Sequence, residues 1–401
     1  MRGIISLSAA YFILACFLIS SANSYNIVCY FASWSIYRNL SGKFDVSNID
    51  PNLCTHINFA FVELYENGSL YIVDPWESNS KSDGGNYNGF QDLVNLRQQN
   101  PNLNVLVSLG GWNEGSKNFS VVCADEAKRQ ILVGEVMRLI AKYNFDGLDI
   151  DWEYPTLRTD SHPQDKENFV KLLAAFRTAF QPRRLLLTAA VAGAVEKIDA
   201  AYFVGNLTNY LDMLNVMSYD YHGAFDGFVG HISPLYASSL DYKHEKNYTY
   251  VASAAIEHWL RNGADPSKIN LGVPTYGRTF TLADKNNTQL YAPILGPGPK
   301  GLFTGLEGTL GYHEICNEYS GADSQYVFDD HQKVPHRVVD DLWIGYDDNV
   351  SLTYKVDYAV AQKLGGIMVY SIDTDDFLGL CGHKYILLTT IKNRLDYHRS
   401  K

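Results

Sequence analysis

Three carboxylates stand two residues apart in the segment Phe145-Asp146-Gly147-Leu148-Asp149-Ile150-Asp151-Trp152-Glu153-Tyr154-Pro155. Alternation along a strand puts Asp149, Asp151 and Glu153 on one face, and Leu148, Ile150 and Trp152 on the other, toward covering helices. Neighbours on the acidic face are roughly 6–7 Å apart between Cα atoms. Negative charges so close and partly buried raise one another's pKa, so at least one carboxyl keeps its proton near neutral pH. A protonated Glu at the end of a strand is what a general acid requires. Calcium loops also cluster carboxylates, but they space them round a Gly-containing turn, not down an apolar-backed strand. A purely structural role is disfavoured, because buried unpaired carboxylates destabilise.

The elements around this trio must hold it at the mouth of something. Short β-branched and aromatic runs at 27–31, 55–62, 104–109, 147–153, 185–191, 213–219, 270–274 and 366–371 alternate with helical patterns. The clearest helix follows the fourth strand, where Phe169, Leu172, Leu173, Phe176 and Phe180 recur on one face. Eight such repeats predict an α/β fold, a (β/α)8 TIM barrel whose reactive groups sit at the C-terminal ends of its strands. Residues 277–346 break the rhythm with Gly, Pro, Tyr and short strand-like pieces, as in GPGPKGLFTG. That length predicts a small inserted α+β subdomain between strand 7 and helix 7.

Aromatic residues make up 13% of the chain, and several fall where the strands end. Trp34 and Trp112 lie in polar loop contexts (ASWSIY and GGWNEG) that favour an exposed, cleft-lining role. Flat rings there suit sugars, whose CH faces stack while their hydroxyls stay polar. Phe61, ending strand two, fits core packing equally well, and Tyr276 follows strand seven. Arg278 in YGRTF suits either a sugar hydroxyl or a nearby carboxylate.

FDGLDIDWEYP matches the DGxDxDxE signature of family-18 glycoside hydrolases, and the chain resembles animal chitinases from YNIVCYFASWSIYR to GGIMVYSIDTDDF. SLGGWN, VMSYDYHG and VPTYGRTF fall between these in the same order, so the resemblance covers roughly residues 25–395 as one catalytic barrel. It implies a retaining, substrate-assisted cleavage of β-1,4 linkages in chitin and N-acetylglucosamine oligomers, an exception to the usual two-carboxylate scheme. It further implies that Glu153 protonates the glycosidic oxygen and Asp151 turns between Asp149 and the substrate acetamide. Asp149 then balances that pair's charge, and Tyr219 and Asp220 hold the acetamido group with Met217 packed beside it. Chitinases of this family have Trp where this chain has Tyr370, so the floor under the reacting sugar is smaller here. The resemblance pairs Cys29 with Cys54 and Cys316 with Cys381, leaving Cys123 a free, buried thiol. Two other readings share the fold: a non-enzymatic chitinase-like sugar-binding protein, and an endo-β-N-acetylglucosaminidase acting on N-glycans. The intact acid speaks against the first, and the GGW and MSYDYHG segments and the insert against the second.

Composition and the chain start set the context. Arg2 followed by an apolar run over 4–19 and Ala22-Asn23-Ser24 reads as a secretory signal over 1–24, cleaved near Ser24–Tyr25. The run is shorter than the ~20 residues a membrane span needs. A secreted, extracellular monomer acting on chitin or chitooligosaccharide is therefore expected. The formal net charge of −11 argues against nucleic acid or an anionic membrane surface as partner. No cysteine pair has metal-type CxxC spacing, so a zinc site is not expected; no other metal and no cofactor is expected. Sequons at Asn39, Asn67, Asn118, Asn206, Asn247, Asn286 and Asn349 predict a glycoprotein.

Overall fold

The structure is a computed structural model that describes residues 25–78, 88–244 and 247–401; the expected signal lies outside them. Eight parallel strands close on themselves: β1 (Asn26–Ala32), β2 (His56–Leu64), β3 (Asn104–Gly110), β4 (Gly147–Asp151), β5 (Leu186–Ala192), β6 (Met213–Met217), β7 (Ile269–Pro274) and β8 (Gly366–Tyr370). Closure is explicit in the register, since β1 pairs Val28 with His56 of β2 and Ile27 with Ile367 of β8. The chain is therefore a TIM barrel, as the eight repeats predict.

Two strands end two residues earlier than their apolar pattern suggests, and the eighth ends one residue earlier, at Tyr370. The fourth leaves the sheet at Asp151, not Glu153, and the sixth at Met217, not Tyr219. In the sixth, the Ser218 hydroxyl donates to the Gly272 carbonyl at 2.7 Å and Asp220 adopts φ +56°, so the backbone turns away from the ladder. The alternation survives past the fourth strand. Trp152 is buried on the helix side, its ring 5.0 Å from Phe119 and 5.7 Å from Phe169, while Glu153 faces the barrel mouth. The helix Asp165–Phe180 buries Phe169, Leu172, Leu173, Phe176 and Phe180, the stripe seen in the sequence.

Inside the barrel the strands contribute polar side chains to one buried layer: Asn58, Ser108, Asp149, Thr188, Asn215 and Asn270 from β2 to β7, all without solvent exposure. Asn270 donates to Asn215 at 2.9 Å, and Asn215 to Asp149 at 3.3 Å. This layer carries the hydrogen bonds that a buried carboxylate needs. At the top of β3, Gly110 has φ +113°, and a Cβ there would come within 2.2 Å of the Asp151 carbonyl oxygen. Only glycine permits the adjoining strands to approach so closely beside Asp151.

After β7 the chain forms an antiparallel sheet. Strand Tyr276–Leu282 pairs with Ile294–Pro297, Thr309–Gly311 and Leu342–Gly345, and the last of these pairs with Val334–Val339, which pairs with Gln325–Asp329. With helix Tyr312–Glu318 it makes an α+β unit between β7 and helix Asn349–Ala361. Its loop reaches back over the barrel mouth: a Cβ on Gly42 would lie 2.5 Å from that of Phe303. This contact sets Thr304 and Leu306 along the rim of the cleft.

Cys29 is bonded to Cys54 and Cys316 to Cys381. Cys123 is free and buried; it stands one residue before the end of helix Lys117–Ala124. Asn39, Asn67, Asn206, Asn286 and Asn349 are exposed. Asn118 differs from these, because it is half-buried and its amide nitrogen donates to Leu64 O and Glu114 Oε1, each at 2.9 Å. The side chain of Asn247 lies outside the described residues. No helix among the described residues is long and apolar enough to cross a membrane.

Candidate active site

A cleft of about 580 Å3 crosses the C-terminal mouth of the barrel. It gathers Trp34, Phe61, Trp112, Asp151, Glu153, Met217, Tyr219, Asp220, Tyr276, Arg278 and Tyr370 from seven different strand ends. Asp149 is not in the lining. It lies one layer below, fully buried, where it accepts hydrogen bonds from Tyr30 (2.7 Å), Ser108 (2.8 Å), Thr188 (2.5 Å) and Asn215 (3.3 Å).

The carboxylates are shifted in the direction that their spacing predicts, but burial is the larger cause. Burial raises Asp149 against the pull of its four donors. Asp151 is pushed well above the carboxylate range by burial, then by the charges of Glu153 and Asp149. One oxygen of Asp151, Oδ1, is buried without a hydrogen-bond partner. Removal from water also lifts Glu153 to about 7, with the charge of Asp220 adding to the rise. A hydrogen bond to Tyr154 and the charges of Lys197 and Arg158 pull Glu153 the other way. The result is an acid that holds its proton near neutrality beside a second carboxyl with a free hydrogen-bonding position.

Opposite the acids, Tyr276 donates its hydroxyl to Asp220 Oδ2 and Arg278 donates Nε to Asp220 Oδ1, both at 2.7 Å. Arg278 also reaches Thr309 of the insert at 2.8 Å. Of the two uses its sequence allowed, Arg278 thus takes the carboxylate one. Tyr370 lines the cleft, its ring stacked on Tyr219 at 6.1 Å and lying 5.6 Å from Tyr30 and 6.4 Å from Tyr276. Along the wall, Trp34 (43% exposed) stacks on Phe61 at 6.0 Å, and Trp112 (57% exposed) carries the Arg158 guanidinium 4.2 Å above its ring. Phe61 therefore belongs to the cleft surface as well as to the packing beneath it.

Several lining residues carry no pattern in the sequence. Tyr154 and Lys197 flank Glu153, with the Lys197 ammonium 5.1 Å from the Tyr154 ring centre. Phe225, 76% exposed, projects from the loop after β6. Glu196 lies on the same wall and accepts a hydrogen bond from Tyr250 at 2.8 Å. Arg38 pairs with buried Asp373 at 2.6 Å, which ties the Trp34 turn to the end of β8. An excess of exposed aromatics after each strand was the available signal for Phe225; nothing local marked Lys197 or Arg38.

The family model for glycosyl hydrolases family 18 matches residues 26–375. The chain is 40% identical over 368 residues to probable chitinase 2 of Drosophila melanogaster, covering 88% of this chain and 73% of that protein. It is similar in structure to the Ostrinia furnacalis Group IV chitinase solved with allosamidin (TM-score 0.89, 39% identity, 93% of this chain and 99% of that one). It is also similar to human YKL-39, described as a pseudo-chitinase with retained chitooligosaccharide binding (TM-score 0.84, 35% identity, 93% and 100% covered). A match over most of the chain, on the barrel that presents the acidic trio on and just after its fourth strand, makes this chain a member of glycosyl hydrolase family 18.

Proposed function

We propose that the protein is a secreted, monomeric chitinase that hydrolyses β-1,4 linkages of chitin and chitooligosaccharides with retention of configuration. The observation that carries this reading is Glu153 in the cleft lining, lifted by burial to about 7, two residues from Asp151 with its unpartnered oxygen. An N-acetylglucosamine seated on Tyr370 presents its acetamide to Asp151, Tyr219 and Asp220 and its glycosidic oxygen to Glu153. Asp151 accepts the acetamide N–H, which orients the carbonyl oxygen behind the anomeric carbon. That oxygen attacks as Glu153 transfers its proton to the departing sugar, so the C–O bond breaks and an oxazolinium ion forms. Glu153, now a carboxylate, takes a proton from water, the hydroxide adds to the anomeric carbon, and the acetamide is released. Side chains and the substrate's own acetamide supply every group the reaction uses, so no metal or cofactor is called for.

The binding capacity printed for YKL-39 makes a sugar-binding role the competing reading. Purified protein offered a hexamer of N-acetylglucosamine and, separately, a high-mannose glycoprotein separates the cases. Shortened chitin oligomers with an intact glycoprotein support the proposal. Binding of the hexamer without cleavage identifies a sugar-binding protein, and release of N-glycans identifies an endoglycosidase.

A further inference from the structure

The loop from Ser218 to Ser233 carries Tyr219, Asp220, Tyr221, Phe225 and Asp226 into the cleft, and its two ends meet at a buried neck. There the Ser233 hydroxyl donates to the Ser218 carbonyl at 2.6 Å, and the Tyr221 N–H donates to Ile232 O at 3.1 Å. The neck is held from behind by an ion. Lys355, on helix Asn349–Ala361, donates to the Ser233 hydroxyl at 2.7 Å and pairs with Asp347, and both charged side chains are fully buried. Asp347 is fixed in turn by the Ser351 hydroxyl at 2.6 Å.

A fully buried ion pair contributes little net stability, since desolvating two charges offsets their attraction and an apolar pair of similar volume does as well. What it does supply is a fixed position. Hydrogen bonds run without a break from Asp347 through Lys355 and the Ser233 hydroxyl to the Ser218 carbonyl, and Ser218 is bonded to Tyr219, whose ring rests over Gly272 of β7. A shift of the neck would carry Tyr219 and Asp220 with it. Helix Asn349–Ala361 also joins the insert to β8, whose last residue is Tyr370, so one helix fixes both the acetamide-facing loop and the strand bearing the floor.

We infer that Lys355, acting through Ser233, is a positioning residue that sets Tyr219 and Asp220 against the substrate acetamide; the inference rests on the chitinase reading above. Ser233→Ala removes the link with a single hydroxyl. Lys355→Met/Asp347→Asn removes both charges at nearly constant volume, which avoids leaving one buried ion unpaired. The expected result for each is a kcat on chitohexaose lower by ~10-fold or more, as small misplacements of reacting groups cost. KM should stay within about threefold and the unfolding midpoint close to wild type, the pattern of lost orientation and not of lost fold or uniform binding. Wild-type kcat in a folded Ser233→Ala protein overturns the inference, and that variant decides alone if the double one does not fold. If the wild type proves not to cleave chitohexaose, the chitinase reading fails separately. The clasp is then read from chitohexaose affinity, where Ser233→Ala binding ~10-fold more weakly supports it and equal affinity refutes it.

Discussion

In the proposed mechanism Glu153 and Asp151 divide the chemistry between them, and isosteric amides separate their parts. Glu153→Gln keeps the shape of the acid without its proton, so turnover of a chitin oligomer should fall at least ~10²-fold while oligomer binding stays measurable. Asp151→Asn should be comparably severe, because a neutral amide holds the acetamide N–H more weakly and cannot ionise to offset the charge of the oxazolinium. Steady-state rates with binding by calorimetry check both; near-normal turnover by Glu153→Gln would mean that another group is the acid. Tyr370 offers the second test at this scale. Its phenol is smaller than an indole, and an aromatic contact is worth ~0.5–1.5 kcal/mol beyond its area. If the contact strengthens as the sugar distorts, Tyr370→Trp raises kcat/KM by up to about tenfold and Tyr370→Ala lowers it strongly. Tyr370→Ala with wild-type kinetics would remove this ring from the floor of the site. The acidic trio was legible in the sequence because strand alternation is a local rule. The reason for its raised pKa was less so: repulsion was visible in the spacing, whereas burial, the larger cause, depends on strands far away in the chain.

Strands and helices place groups that no short motif joins. The helix Val195–Ala201 follows β5 and brings Lys197 to the Tyr154 ring beside Glu153. Its positive charge favours the ionised form of Glu153 and so holds the acid's pKa down. Activity needs the protonated form, so kcat/KM should fall as pH rises through about 7, the value to which Glu153 is lifted. Lys197→Met should move that alkaline limb to higher pH, and a limb unchanged or moved to lower pH would contradict the assignment. All eight barrel strands were legible from apolar runs, and their ends were not. β4 and β6 stop two residues short because Ser218, Asp220 and Glu153 turn to make loop contacts instead of ladder bonds. The polar layer of Asn58, Ser108, Thr188, Asn215 and Asn270 around Asp149 also had a readable trace, one polar residue inside each apolar strand. Its meaning emerges only when closure of the barrel brings the six side chains together.

The whole molecule spends stability to keep acids neutral near the cleft. Glu77 is fully buried beneath the Trp34 turn, and burial lifts its pKa to about 8. Below the unfolded value near 4.5 both states are protonated and nothing is lost. As pH rises toward 8 the unfolded chain ionises while the folded one must hold its proton, so stability falls through that window. Glu77→Gln escapes this cost. It should be more stable than wild type at pH 7.5 by on the order of 3 kcal/mol, seen as a higher unfolding temperature, and match it at pH 4. Equal melting points at both values would show Glu77 to be ionised in the fold. The insert was legible as a break in rhythm, but its contact on Gly42 and the anchor at Lys355 join residues more than a hundred positions apart and had no local signature. In the proposed mechanism a sugar acetamide and Glu153 together cleave the chitin chain. Proton NMR of chitohexaose during its first minutes with the purified protein tests it most directly. The account predicts shorter oligomers whose new reducing ends appear first as the β-anomer and only later equilibrate; an initial α-anomer, or a hexamer that binds and stays whole, would contradict it.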